Sequence, residues 1–144
     1  MKINFLFKKK IKFPKEFKKN LKNVIKHISD NENDIFGNIN LVFCSDKFIR
    51  DYNREYLDHD FETDIITFYD NDENGHTEGE LLISLDTVET NSRRFKTDLY
   101  DEFGRVIIHG ILHLCGYGDK TKTEKSLMRK KENFYLKYLK SLKD

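Results

Sequence analysis

Hydrophobic residues recur along this chain with two different periods, and the change from one period to the other predicts its secondary structure. Runs rich in β-branched and aromatic residues predict four strands, at 3–7, 38–43, 64–69 and 79–85. Apolar residues at every third or fourth position predict five helices, at about 14–30, 46–56, 86–96, 99–114 and 123–142. The order β-α-β-α-β-β-α-α-α is that of an α+β domain, with a mixed sheet of about four strands and helices packed on it.

Local signals refine these elements. Pro14 stands where a first helical turn accepts proline, Asn74-Gly75 predicts a hairpin between the third and fourth strands, and Asp86 is expected to cap the third helix. Helical spacing also predicts the buried stripes of two helices, with Phe48, Ile49, Tyr52 and Tyr56 on the second and Leu127, Met128, Phe134, Leu136, Tyr138 and Leu139 on the last.

The fourth predicted helix is apolar nearly all round and should be central, yet it carries two histidines four residues apart. Side chains at this spacing lie on one helical face, so the imidazoles of His109 and His113 can converge on one ion. Gly116 and Gly118 follow and allow the chain to reverse, which returns Asp119 as a third ligand. Two imidazoles and one carboxylate leave a position open for water, as in catalytic zinc sites.

A competing interpretation of the two histidines is that they are buried core residues with hydrogen-bond partners. Their spacing, the glycine turn and the carboxylate together favour a metal site. The pattern His-x3-His-x2-Gly also follows the signatures of zincin metalloproteases, but those peptidases carry a glutamate general base directly after the first histidine. Here that position is Gly110, so peptidase chemistry by this route is disfavoured.

Composition and charge place the chain among soluble proteins and suggest a polyanionic partner. Its 144 residues are most simply one domain, 38% are hydrophobic and 35% charged, and no signal-peptide pattern is present, which predicts a cytoplasmic protein. Residues 1–27 hold ten lysines and one glutamate (net +9), residues 28–118 carry net −13, and residues 119–144 carry net +5. Basic ends around an acidic centre fit an RNA partner, although lysine-rich faces often serve solubility alone.

The histidine pattern resembles that of the YbeY family of bacterial endoribonucleases, also called rRNA maturation factors. The resemblance covers His109-Gly-Ile-Leu-His113-Leu-x-Gly116-Tyr117 with Met128 and Glu132, and upstream Asn53-x-x-Tyr56, Thr63-Asp64-Ile-Ile-Thr-Phe68 and Gly79-Glu-Leu-Leu-Ile83. It implies a zincin-like fold with one Zn²⁺ ion. The implied activity is metal-dependent cleavage of single-stranded RNA, in maturation of the small-subunit rRNA (the 16S rRNA 3′ end) and in ribosome quality control, with the small ribosomal subunit as partner.

The chain departs from the commonest pattern of that family at two positions. The usual third histidine ligand is Asp119, whose negative charge should make the ion a weaker Lewis acid. The arginine that usually follows the tyrosine of the middle motif is Leu57, so Arg54, Arg93 or Arg94 is the candidate for RNA binding in its place. The general base is not evident, and the candidates, by resemblance and helix position, are Asp64, Glu80 and Glu102.

Two other functions fit parts of this pattern. Two histidines and a carboxylate also hold non-haem iron, although such sites usually sit on a double-stranded barrel rather than on one helix. Alternatively, the ion only stabilises the fold, and the basic ends bind the ribosome in a non-catalytic assembly role. A metal-dependent hydrolase with another substrate is a further alternative.

Overall fold

Four strands and five helices follow one another in the predicted order in the computed structural model, which describes residues 1–56 and 64–143 and, at Tyr56, the backbone alone. Leu57 and His59 therefore lie outside the described residues. The strands are β1 (Lys2–Phe7), β2 (Phe36–Cys44), β3 (Ile65–Asn71) and β4 (Thr77–Ser84). The helices are α1 (Lys15–Glu32), α2 (Asp46–Tyr56), α3 (Leu85–Arg94), α4 (Leu99–Leu114) and α5 (Lys122–Ser141).

The strands form one mixed sheet in the order β1-β2-β4-β3. β1, β2 and β4 are parallel, and β3 runs antiparallel to β4 at one edge. The predicted hairpin between β3 and β4 is confirmed, and Gly75 has a φ of 78°, which glycine adopts without strain. The predicted α+β class with a four-stranded mixed sheet is therefore correct.

The main core lies between one face of the sheet and the helices α1 and α4, and α5 packs on these two helices. α4 packs against the sheet on one side and α5 on the other, so the prediction that this apolar helix is central is confirmed. Gly110 of α4 lies directly over the strands, because a Cβ atom there would be 2.6 Å from Leu81 Cδ2 and 2.7 Å from Ile65 Cδ1. Close packing of helix on sheet thus leaves no room at position 110 for the glutamate of a zinc peptidase.

On the other face of the sheet, α2 packs against part of the surface. Ile49 of this helix is buried with Val42, Leu82 and Ile66 in a second, smaller core. The prediction that Phe48 points inward was wrong, because the side chain is exposed, and the same holds for Leu127 and Phe134 of α5. Each lies at the edge of its helical stripe, where spacing alone does not separate buried from exposed positions.

The predicted cap of α3 was also wrong. Ser84, not Asp86, occupies the cap position, and its hydroxyl accepts a hydrogen bond from the backbone N–H of Thr87. The Asp86 carboxylate instead accepts from the backbone N–H of Asp46 (3.0 Å) and from Lys9 Nζ (2.6 Å).

Throughout the described ranges, no helix has both the length and the apolar character needed to cross a membrane.

Candidate metal centre

The end of α4 and the turn after it form the candidate site. α4 stops at Leu114 because Gly116 adopts a φ of +97°, and the N–H of Tyr117 bonds back to the carbonyl of Leu112 at 3.1 Å. α5 then begins with a capping box in which Thr121 and Glu124 satisfy each other's backbone N–H groups. Glu124 also accepts from the N–H of Lys120, so the segment carrying Asp119 is held at both ends.

Three side chains meet at this turn. The Nε2 atoms of His109 and His113 are 3.0 Å apart, and Asp119 Oδ2 is 3.2 Å from the first and 3.4 Å from the second. A tetrahedral ion with ligand bonds of about 2.0 Å separates its ligand atoms by roughly 3.3 Å. The three atoms therefore already have the spacing of three corners of a zinc coordination shell, and the cluster can hold a metal ion.

The far nitrogen of each imidazole is occupied by a protein acceptor. His113 Nδ1 donates to the backbone carbonyl of Tyr117 at 2.8 Å, and because a carbonyl only accepts, this nitrogen carries the proton. His109 Nδ1 donates to Glu132 Oε2 at 2.6 Å. Both histidines thus present the Nε2 lone pair to the centre, which is the tautomer that metal binding requires.

Charged neighbours set the protonation of the His109 and Glu132 pair. Burial disfavours a charged His109, but the hydrogen bond and charge of Glu132, with the charges of Asp119 and Asp64, outweigh it and raise the pKa of the imidazole. Burial likewise opposes ionisation of Glu132, but the hydrogen bonds from His109 and Arg105 lower its pKa. This concentration of negative charge around one imidazole favours a cation at the centre.

The three side chains open into a pocket of about 770 Å³. His109 and His113 are about a quarter exposed (26% and 24%), and Asp119 is 43% exposed, so the site is accessible from solvent. The wall of the pocket combines acidic, basic and aromatic groups, among them Asp64, Tyr69, Lys120 and Glu124. Lys120 is the one lysine among these lining residues and puts a positive charge in the wall of a pocket that is otherwise rich in carboxylates.

The predicted proton acceptors lie in three different places. Asp64 lines the pocket beside His109 and His113. Glu102 lies on α4 two turns before His109, is buried, and lines a neighbouring cavity. Glu80 is on the opposite face of the sheet, because it precedes the core residue Leu81 in β4 and side chains alternate along a strand. Glu80 therefore cannot act at this centre.

The predicted RNA-binding arginines are not on the walls of the metal pocket. Arg54 pairs with Asp51 at 2.7 Å, Arg93 pairs with Glu89 at 3.4 Å, and Arg94 lies over the ring of Phe95. Two other arginines, Arg105 and Arg129, line the neighbouring cavity together with His109. Neither arginine was predicted. A signal was available for Arg105, which stands one helical turn before His109 on the same face.

Comparison with known proteins places this arrangement in a family. A family model described as Endoribonuclease YbeY matches residues 4–140. The chain belongs to the YbeY endoribonuclease family. It is 47% identical over 123 residues to the endoribonuclease YbeY of Parabacteroides distasonis, covering 85% of this chain and 86% of that protein. It is 39% identical over 129 residues to the endoribonuclease YbeY of Cytophaga hutchinsonii, covering 90% of each.

A solved structure agrees with this assignment. The solution structure of a protein from Thermotoga maritima superposes with a TM-score of 0.67 at 29% sequence identity, covering 95% of this chain and 88% of the other. The resemblance to YbeY proteins seen in the sequence is thus confirmed. Membership of the YbeY family makes the protein a hydrolase of the nuclease class.

Proposed function

We propose that this YbeY family member is a zinc-dependent endoribonuclease that cleaves single-stranded RNA at the centre formed by His109, His113 and Asp119. We further propose that it acts in the cytoplasm in late maturation of the small-subunit rRNA, at the 3′ end of 16S rRNA, and in ribosome quality control. The observation that carries the proposal is the spacing of 3.0 to 3.4 Å among the three ligand atoms, which matches a tetrahedral zinc shell.

The residues of the chain have distinct tasks in this hydrolysis. When bound, a zinc ion supplies Lewis acidity, which polarises a phosphoryl oxygen and lowers the pKa of water. His109 and His113 bind through Nε2 because Glu132 and the carbonyl of Tyr117 hold their Nδ1 protons. The carboxylate of Asp119 is the third protein ligand. Because it is negative, a bound zinc ion would be a weaker Lewis acid than an ion held by the two imidazoles alone.

Asp64 is the proton acceptor in this proposal. Its side chain lines the same pocket as the two histidines, and its charge contributes to the raised pKa of His109. Its backbone carbonyl accepts the N–H of Ser84 at 2.9 Å, so the residue is fixed to the end of β4. Glu124 shares the pocket, but its carboxylate accepts the backbone N–H groups of Lys120 and Thr121, which lower its pKa and make it a weak base.

The basic ends of the chain supply the contact with a large RNA. α1 and α5 carry most of the lysines, and several of them are exposed. Such a surface binds phosphates without reading sequence, which fits a small ribosomal subunit as partner. The metal pocket then provides the selectivity for the cleaved strand.

The proposal is tested by metal content and cleavage measured on the same samples. Protein purified without added metal should contain zinc and cleave a labelled single-stranded RNA, while leaving the same RNA in a duplex intact. His113→Ala should lose both zinc and cleavage. His76→Ala, which removes an imidazole paired with Asp72 far along the chain from the centre, is the matched control and should keep both.

The other outcomes identify the alternatives. Iron in place of zinc would overturn the assignment of the metal. Cleavage by a metal-free His113→Ala protein would overturn the assignment of the centre. Zinc in the wild-type protein without cleavage of any single-stranded RNA would replace the nuclease with the non-catalytic assembly factor.

A further inference from the structure

A second cavity, of about 470 Å³, lies next to the metal pocket and shares Asp64 and His109 with it. The two cavities meet on either side of the His109 ring. Nε2 faces the metal centre, whereas Nδ1 faces Glu132, which lines the second cavity. A polymer bound across the metal centre would therefore continue into this cavity, which we call the flanking cavity.

The flanking cavity has an aromatic ring at its wall. Phe95 ends α3 with 61% of its surface exposed, although large apolar side chains are usually covered. The guanidinium carbon of Arg94 lies 5.6 Å from the centre of the ring, a cation–π contact beside an otherwise largely exposed side chain. A flat, exposed ring next to a cation is the kind of platform on which single-stranded nucleic acids stack a base.

The remaining wall supplies one free cation and two neutral polar groups. Arg105 is engaged, because it donates to Glu132 at 3.1 Å and to Asn133 at 2.9 Å. Arg129, by contrast, has no carboxylate within ion-pair distance among residues 1–56 and 64–143, so its guanidinium is available to a phosphate. Asn91 and Thr97 add an amide and a hydroxyl that can bond the edge of a base.

We propose that the flanking cavity binds the nucleotide next to the cleaved phosphodiester, with its base stacked on Phe95 and a phosphate on Arg129. This inference rests on the proposed endoribonuclease function and adds a subsite to it. A base in a duplex is paired and stacked on its neighbours, so a base of a single strand is the one that is free to stack on Phe95. The subsite therefore gives the enzyme a physical reason to prefer single-stranded RNA to duplex RNA.

The test uses the full-length, metal-loaded protein and two pairs of matched variants. Phe95→Ala is compared with Phe134→Ala, which removes an equally exposed ring (57%) from the outer face of α5. Arg129→Ala is compared with Arg50→Ala, which removes an arginine of α2 that lines neither cavity. Binding is measured with a fluorescent single-stranded RNA in the Asp64→Asn background, which lacks the proposed proton acceptor and therefore does not consume the probe, and cleavage is measured with Asp64 intact.

We expect Phe95→Ala to weaken binding and raise KM about tenfold, with zinc content unchanged. Arg129→Ala should reduce the slope of log affinity against log salt by about 0.7, whereas Phe95→Ala should leave that slope as in the wild type. An oligonucleotide with an abasic site beside the cleaved bond should bind wild type and Phe95→Ala equally. Phe134→Ala and Arg50→Ala should behave as wild type.

Failure of this inference and failure of the proposed function give different results. If the wild-type protein cleaves RNA and Phe95→Ala binds and cleaves as the wild type does, the subsite is wrong and the nuclease stands. If no single-stranded RNA is cleaved, the nuclease is wrong, and the binding measurements still decide the subsite. Equal weakening by Phe95→Ala and Phe134→Ala would also overturn the subsite, because binding would then follow aromatic content and not position.

Discussion

The two histidines of the metal centre are supported in unlike ways. His109 donates to a carboxylate on another helix, Glu132, which is held in turn by Arg105. His113 donates to a neutral carbonyl four residues away in its own turn. One support is charged and depends on how α4 packs against α5, and the other is uncharged and local. The His109 side therefore sets the electrostatics of the site, whereas the His113 side sets the path of the chain.

The largest effect on catalysis should come from replacing the proposed proton acceptor, Asp64. Asp64→Asn keeps the shape of the side chain but removes its basicity, and we expect kcat to fall about 10²- to 10⁴-fold with zinc content unchanged. Glu124→Gln, which alters a carboxylate of the same pocket that is already used as a helix cap, should reduce kcat far less. A fall in kcat that is equal in the two variants would show that Asp64 contributes only charge to the pocket.

The difference between the two supports should next appear in metal affinity. Glu132→Gln replaces a charged acceptor with a neutral one, and we expect zinc affinity, measured by chelator competition, to fall about 10- to 100-fold. Tyr117→Phe keeps the carbonyl that accepts from His113 and loses only the hydroxyl, so its zinc affinity should change little. If Tyr117→Phe weakened zinc as much as Glu132→Gln, the contrast between the two sides would be wrong.

The turn that carries the carbonyl acceptor of His113 is also tied to a charged group, because the side chain of Tyr117 in this turn bonds to Glu32. The Tyr117 hydroxyl donates to Glu32 at the end of α1 (2.5 Å), and the Glu32 carboxylate also accepts from Tyr135 and from Lys131 Nζ (3.1 Å). Burial disfavours the ionised form of Glu32, but these three hydrogen bonds outweigh it and lower its pKa. α1, α5 and the metal turn are thus tied together at one carboxylate.

The smallest of these effects should be a pH-dependent loss of stability in Glu32→Gln. Because the folded state lowers the pKa of Glu32, its ionised form stabilises the fold at pH values above the unfolded pKa of about 4.5, and this contribution is lost as the pH falls through the lower folded value. We expect Glu32→Gln to cost about 1–2 kcal/mol at pH 7 and progressively less in acid.

Urea unfolding of metal-free protein across a pH series measures this difference. Glu55→Gln, at an exposed position of α2, is the control and should follow the wild type at every pH. A destabilisation of Glu32→Gln that stayed constant into acid would mean that the shape of the side chain matters and its charge does not.

The contrast between the two sides also explains what could be predicted from the sequence. The histidine pair, the Gly116 turn and the return of Asp119 lie within eleven residues and follow from helical geometry. The partner of His109 is 23 residues away, and its role depends on the packing of α4 on α5, which no local pattern specifies. A signal did exist, because Glu132 occupies a buried stripe of α5 between Met128 and Tyr135, where an unpaired carboxylate would be costly.

The placement of the other candidates has physical reasons of the same kind. Glu80 was a candidate base because it lies in a family motif, yet strand alternation places it on the face of the sheet opposite Leu81 and away from α4. Arg54 and Arg93 were candidates for RNA binding, and their own helices provide carboxylate partners three and four residues away, so their contact with RNA stays a prediction. Burial and charge pairing are properties of the folded chain, so counting charges along the sequence missed both Arg105 and Arg129.

The contact of Gly110 with Leu81 and Ile65 has a consequence for how this scaffold can change. A side chain at that position would meet the terminal methyl groups of both residues, so either those side chains or α4, which carries both imidazoles, would have to shift. Introducing the glutamate of a zinc peptidase here would therefore also require repacking of the contact between α4 and the strands. The close contact of α4 with the sheet thus hinders conversion of this site from hydrolysis of phosphodiesters to hydrolysis of peptides.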